Sequence, residues 1–178
     1  MRAPSIFLLT LMAGFVLACG SGQPATHISA QDAFWSQLER LCGGAFPGTL
    51  VQGNDTDSDF ATEPMVMHVR ECYDDEVRMP LHVGENRSRT WIVSITDAGL
   101  RLKHDHRYED GAEEDVTQYG GDTHESGEPG RQDFLADQET IDMLPEAATN
   151  VWTVEVDDEQ FAYALDRVGT DRQFRMEF

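Results

Sequence analysis

The chain carries two histidines, one residue apart, in a segment that alternates between apolar and charged side chains. His104 and His106 share a parity with Leu100 and Leu102, whereas charged residues fill the positions between them. Alternate side chains of a β-strand point to opposite faces. The pattern therefore predicts a strand with the leucines and both histidines inside and its charged face in solvent. Two imidazoles at this spacing can ligate one metal ion or contact a bound molecule.

A second strand is predicted just before this one, separated from it by a tight turn at residues 97–99. Two registers are open. One sets Trp91 opposite His104 and Arg89 opposite His106, and the other sets Trp91 opposite His106. Either register brings these side chains together inside the fold. The candidate ligand-binding residues are Arg89, Trp91, His104, His106 and Tyr108.

Three interpretations of this cluster remain open. The inward histidines, Arg89 and Tyr108 can satisfy one another as a buried polar network. They can instead contact a small ligand. The third interpretation is a divalent metal site of His104, His106 and His124, which requires the loop carrying His124 to fold over the cluster. The chain has no serine-hydrolase elbow, zinc-protease helix or phosphate loop, so no catalytic residue is assigned.

The elements around the cluster predict an all-β fold. Ser29 is placed to cap an N-terminal helix that ends near residues 42–44. Beyond it, short alternating segments recur at hairpin spacing, whereas residues 120–130 are predicted to be a long loop and residues 137–144 a weak helix or an ordered loop. One helix followed by eight to ten antiparallel strands closes most economically as an up-and-down barrel. A β-sandwich is the alternative.

The N-terminal residues predict export. Residues 1–18 combine a short basic start with an apolar stretch that is too short to span a bilayer, followed by small residues, which is typical of a signal peptide. Residues 19–28 are predicted to be a tether and residues 29–178 a single barrel domain. In an exported chain, Cys42 and Cys72 are expected to form a disulfide.

The charge of the chain bears on its partners. The formal net charge is −20, and such a field repels nucleic acid and anionic lipid surfaces. We therefore expect no nucleic-acid partner, and we expect contact with a membrane only through a lipid anchor.

Several segments resemble known families. Residues 16–19 resemble the end of a bacterial lipoprotein signal, which implies lipidation at Cys19 and, because Gly20 follows, the outer membrane facing the periplasm. Soluble secretion is the alternative. The helix, residues 44–48 and the C-terminal meander resemble the calycin barrels, which include lipocalins. The Arg89-Thr90-Trp91 segment also resembles nitrobindin-type haem barrels, but these ligate iron through a histidine on a late strand. No histidine follows His124, so this resemblance does not imply that the chain binds haem.

The widest resemblance is to uncharacterised secreted bacterial proteins and lipoproteins, and residues 67–70, 82–91, 100–106 and 119–123 carry it. That resemblance implies no activity. We therefore expect an envelope lipoprotein whose barrel is non-catalytic and binds a small molecule or a partner. The alternative is a metal-binding protein or a metal-dependent enzyme that uses His104 and His106.

Overall fold

The computed structural model describes residues 28–178. The predicted signal peptide and Cys19 lie outside the described residues. The helices are α1 (Ala30–Glu39), α2 (Ser58–Thr62) and α3 (Gln138–Met143), with 3₁₀ turns at Asp55–Asp57 and Pro145–Ala147. The strands are β1 (Ala45–Gln52), β2 (Met65–His68), β3 (Glu71–Cys72), β4 (Glu76–Val83), β5 (Asn86–Thr96), β6 (Gly99–His106), β7 (Tyr119–Asp122), β8 (Arg131–Ala136), β9 (Asn150–Val156), β10 (Phe161–Arg167) and β11 (Gln173–Glu177). Within residues 28–178, no helix is both long enough and apolar enough to span a bilayer.

Ten antiparallel strands close into one barrel, which confirms the predicted fold. From β4 to β11 each strand pairs with its neighbour in the chain. The ring closes because β11 pairs with β1, β1 with β2, and β2 with β4, while the two-residue β3 adds to the edge of β4. A sandwich would keep open sheet edges, whereas closure pairs every edge.

The hairpin of β5 and β6 adopts one of the two predicted registers. Trp91 faces His104, Arg89 faces His106, and the chain turns between Thr96 and Gly99. The apolar parity of each strand faces the barrel interior. Leu100 and Leu102 of β6 are buried there, as is His104.

Helix α1 closes the end of the barrel that carries the β5–β6 turn. Ser29 caps it as predicted, because its hydroxyl accepts from the Asp32 backbone N–H at 3.0 Å and the Asp32 side chain returns a bond. Phe34 and Leu38 are fully buried in the core. The Gln31 amide donates to the hydroxyl of a residue just after β7, at 3.0 Å. The apolar face of α1 therefore fills one end of the barrel and leaves the opposite end to the loops.

The predicted disulfide between Cys42 and Cys72 is present. It joins the segment that follows α1 to β3 across 30 positions of sequence. The bond therefore ties the closing helix to the wall of the barrel, and it restricts the unfolded chain by closing a loop.

The sequence prediction was wrong for the segment around β7. Residues 120–130 are predicted to be a long loop, but the first three of them belong to the strand Tyr119–Asp122. A Cβ on Gly121 would lie 1.6 Å from the Leu135 carbonyl oxygen, and one on Gly120 would lie 1.9 Å from that of Leu102. The two glycines are therefore strand residues that allow close backbone approach on both sides.

The charged face of β6 is less exposed than predicted. Asp105 is 6% exposed, because residues 107–118 fold back over it. Its carboxylate accepts from Gln118 at 2.8 Å and from Arg107 at 2.9 Å. Lys103 is covered in turn by α3 and donates to Asp137 at 2.6 Å. The outer face of β6 is thus a layer of ion pairs under loops.

Candidate functional site

The end of the barrel opposite α1 opens into a cavity of about 380 Å³. The connections β1–β2, β6–β7, β8–β9 and β10–β11 form its rim, because these loops all lie at the end where β6 finishes. Inward side chains of the strands form most of its walls, and six aromatic side chains line it, one of them on α2. Those aromatic residues are Phe60, Trp91, Tyr119, Trp152, Tyr163 and Phe174.

His104 lies deep in this cavity, and both of its ring nitrogens have partners. Nδ1 is 3.0 Å from the Tyr119 carbonyl oxygen, which can only accept, so Nδ1 carries the proton. Nε2 is 2.7 Å from the Tyr163 hydroxyl. Burial lowers the pKa of His104 to about 3, so the ring is neutral at physiological pH. Nε2 is then an acceptor, and the Tyr163 hydroxyl donates to it.

This bonding limits the chemistry of the pair. The lone pair that a metal ion would need on His104 is already occupied by the Tyr163 hydroxyl. Burial raises the pKa of Tyr163 well above its usual value, so its phenol stays protonated and is not an oxygen nucleophile. The hydrogen bond between His104 and Tyr163 therefore fixes the orientation of these two side chains at the floor of the cavity.

His106 lies nearer the rim than His104. Its Nε2 is 3.2 Å from the Tyr119 hydroxyl, and its Nδ1 is 3.8 Å from a Glu114 carboxylate oxygen. Burial and then the Arg89 charge lower the pKa of His106, against the opposing effect of Glu114. The Tyr119 ring is parallel to His104 at 4.5 Å and 5.4 Å from His106, so it contacts both histidines.

Trp91 organises the aromatic wall. Its ring stacks on Tyr163 with centroids 4.4 Å apart and an interplanar angle of 17°. It also meets Phe161 at 6.1 Å and the edge of Phe178 at 6.0 Å. Stacked and edge-to-face contacts of this kind hold aromatic rings in defined positions. The wall therefore presents a preformed apolar surface to the cavity.

Three arginines line the cavity, and two of them, Arg172 and Arg89, differ most in their partners. Arg172 of the β10–β11 loop pairs through both terminal nitrogens with the buried carboxylate of Asp57, one contact at 2.9 Å. Arg89 lies over the Phe60 ring, with its guanidinium carbon 5.3 Å from the centroid. The first arginine holds the β1–β2 connection in place, and the second faces the cavity with an aromatic contact.

The structure does not bring every predicted site residue to the cavity. Arg89, Trp91, His104 and His106 line it. Tyr108 is 51% exposed beyond the end of β6, outside the barrel interior. The strand ends at His106 and the chain leaves the sheet there. The alternation that points His104 and His106 inward therefore does not extend to Tyr108.

The predicted third metal ligand is also far from the pair. His124 is exposed and follows β7 at the α1 end, where the preceding Thr123 bonds to Leu100. Leu100 and His106 are six positions apart on β6, a distance of about 20 Å along the strand. In the described part of the chain, no group of three or more His, Cys, Asp or Glu side chains is arranged to hold a metal ion. The metal hypothesis stays a prediction without a complete ligand set.

Sequence reasoning missed Tyr163 and Tyr119 as partners of the histidines. Both lie far from His104 in the chain, 59 and 15 positions away. The signal for Tyr163 was present, because its parity in the predicted strand places it inside. The alternation of side chains along a strand predicts which residues point inward, but it does not predict which of them contact each other across the barrel.

Comparisons with protein families, with curated proteins and with solved structures found no match to this chain. The fold and the cavity alone define the class, which is an all-β, ten-stranded up-and-down barrel with one end closed by a helix and the other opening into an aromatic cavity.

Proposed function

We propose that this protein is a non-catalytic barrel that binds a small molecule with an aromatic or apolar body at its open end. The observation that carries the proposal is the cavity of about 380 Å³ walled by aromatic side chains. Its size is at the lower end of the range of roughly 300–1,000 Å³ that is common for ligand pockets. A ligand there would bury apolar surface against rings that are already held in place.

The polar groups at the floor favour binding over chemistry. His104 is neutral, and its ring nitrogens and the Tyr163 hydroxyl are bonded to one another or to the Tyr119 carbonyl. Burial raises the pKa of Tyr119 to about 12, so this phenol is also neutral. No nucleophile beside a base is formed among these groups, and hydrolytic or transfer chemistry would require one.

Tryptophan fluorescence provides a direct test. Trp91 and Trp152 line the cavity, whereas Trp35 lies on α1 at the other end. A neutral two-ring compound that does not absorb at the excitation wavelength, such as decahydro-2-naphthol, should change the emission saturably, and calorimetry should give the same dissociation constant. The absence of saturable binding by either method would overturn the proposal.

A pair of variants locates the site. Ala147 is buried and lines the cavity, whereas the adjacent Ala148 is exposed. We expect Ala147→Phe to fill the cavity and abolish binding, and Ala148→Phe to bind as the parent protein does. Equal binding by the two variants would place the ligand elsewhere.

We also propose that the barrel is exported and lipid-anchored through Cys19, facing the periplasm at the outer membrane. The support is the sequence of residues 1–19 and its resemblance to lipoprotein signals. Labelling cells with radioactive palmitate tests it. The parent protein should carry label and Cys19→Ala should not, and an unlabelled parent would refute the anchor.

A further inference from the structure

Arg89 differs from every other arginine of residues 28–178 in having no oxygen partner. Eight of those arginines pair with carboxylates. Arg87 and Arg167 donate to the Gly84 carbonyl and the Asn150 amide oxygen. Arg89 contacts only the face of an aromatic ring, at 5.3 Å. In a chain of net charge −20, Arg89 is the one arginine of residues 28–178 whose guanidinium has no oxygen acceptor.

The position of Arg89 directs this free charge into the cavity. It is half-buried on β5, opposite His106 on β6 and on the same face as Trp91. A guanidinium has five N–H donors, and partial burial reduces the water available to them. A charged acceptor brought into the cavity would supply the missing partner.

The carboxylates at the rim do not fill this role. Asp57 is held by two bonds from Arg172, and Glu114 faces His106. Glu146 also lines the cavity, and three further acids share a smaller pocket with Arg89. Among the described residues, none of these carboxylates forms an ion pair with Arg89. Of the three arginines that line the cavity, Arg172 pairs with Asp57 and Arg167 donates to an amide oxygen, so Arg89 is the one whose guanidinium has no oxygen partner.

The backbone positions of Arg89 and Trp91 on β5 indicate the length of a ligand that would contact both residues. Residues two apart on a strand lie about 7 Å from each other along it, which is close to the length from a carboxylate to the far part of a two-ring aromatic body. We propose that the ligand is a small aromatic carboxylate, with its carboxylate bound by Arg89 and its ring against the Trp91 wall. This inference rests on the proposed function of the cavity.

A comparison of two probes in two proteins tests it. 2-Naphthoate and 2-naphthamide share a shape and differ in charge at pH 8. By calorimetry at low salt, the parent protein should bind the carboxylate roughly tenfold more tightly, as expected for a charge-assisted bond at a half-buried site. In Arg89→Gln the two probes should bind with nearly equal affinity.

A matched control separates this contact from the general field of the protein. Arg87→Gln removes the same charge from the same strand, at an exposed residue that does not line the cavity. It should keep the preference for 2-naphthoate. Arg89→Lys should keep part of it, because the charge remains while the bidentate geometry is lost.

The outcomes distinguish this inference from the proposed function. Binding of 2-naphthamide with no preference for 2-naphthoate in the parent protein overturns the inference and leaves the cavity function standing. So does a preference that survives Arg89→Gln. Binding of neither probe to the parent protein overturns both proposals. The ratio of the two dissociation constants is measured in the parent protein alone. The inference can therefore be refuted even if Arg89→Gln does not fold.

Discussion

Acidification should destabilise the barrel through His104, by an amount that can be isolated from every other titrating group. The ring is buried, and its pKa falls from 6.5 to about 3 on folding. Below pH 6.5 the unfolded chain binds a proton at this residue that the folded barrel rejects. The contribution of His104 to the free energy of unfolding is therefore fully present above pH 6.5 and is lost progressively as the pH falls toward 3.

The magnitude follows from the size of the shift. Each pH unit between the unfolded and folded pKa values corresponds to about 1.4 kcal/mol of unfolding free energy. At pH 5, about 1.5 such units have been crossed, so the loss relative to pH 8 is about 2 kcal/mol from His104 alone. That is a large fraction of the stability of a typical domain.

Urea denaturation of the parent protein and of His104→Gln, each at pH 8 and pH 5, measures this loss. Glutamine does not titrate, and the remaining acids and histidines are common to both proteins. The stability advantage of the parent protein over the variant should shrink by about 2 kcal/mol on going to pH 5. An advantage that stays constant within about 0.5 kcal/mol would mean that His104 is not held neutral by burial.

Three further changes test what holds the barrel together. Replacing Cys42 and Cys72 by serine should lower the unfolding free energy by about 3–4 kcal/mol, because the crosslink closes a loop of about 30 residues; an unchanged urea midpoint would refute this. Gly121→Ala should cost at least about 1–3 kcal/mol, because its Cβ would lie 1.6 Å from a carbonyl oxygen of β8, and amide exchange should quicken in β7. Arg172→Met should cost about 2–4 kcal/mol by leaving the buried Asp57 carboxylate unpaired, and Asp57→Asn in the same background should restore part of the loss.

The barrel itself could be predicted from sequence because its signals are local. Apolar alternation assigned the inward face of each long strand, and the turn at residues 97–99 limited β5 and β6 to two registers. The serine at position 29 marked the start of α1. The disulfide of Cys42 and Cys72 followed from counting cysteines in a chain expected to be exported.

The strand β7 could not be predicted by the same reasoning, because its signal is an absence of side chains. Gly120 and Gly121 carry no apolar alternation and read as a loop. Their role depends on the backbones of β6 and β8, which approach on either side. Only the assembled sheet shows that the space between these strands has no room for a Cβ.

The alternation of side chains along β6 predicted that His104 points inward, but it did not predict its hydrogen-bond partners. A polar network was one of the three predicted uses, with Arg89 and Tyr108 as the partners of the histidines. A network does form at His104, but its hydroxyl comes from Tyr163 on β10, across the barrel. Arg89 lies opposite His106 rather than His104, and it forms no hydrogen bond in this network. The bond from Tyr163 occupies the His104 nitrogen that a metal ion would need, and under the proposed function Arg89 is the residue that selects a carboxylate ligand.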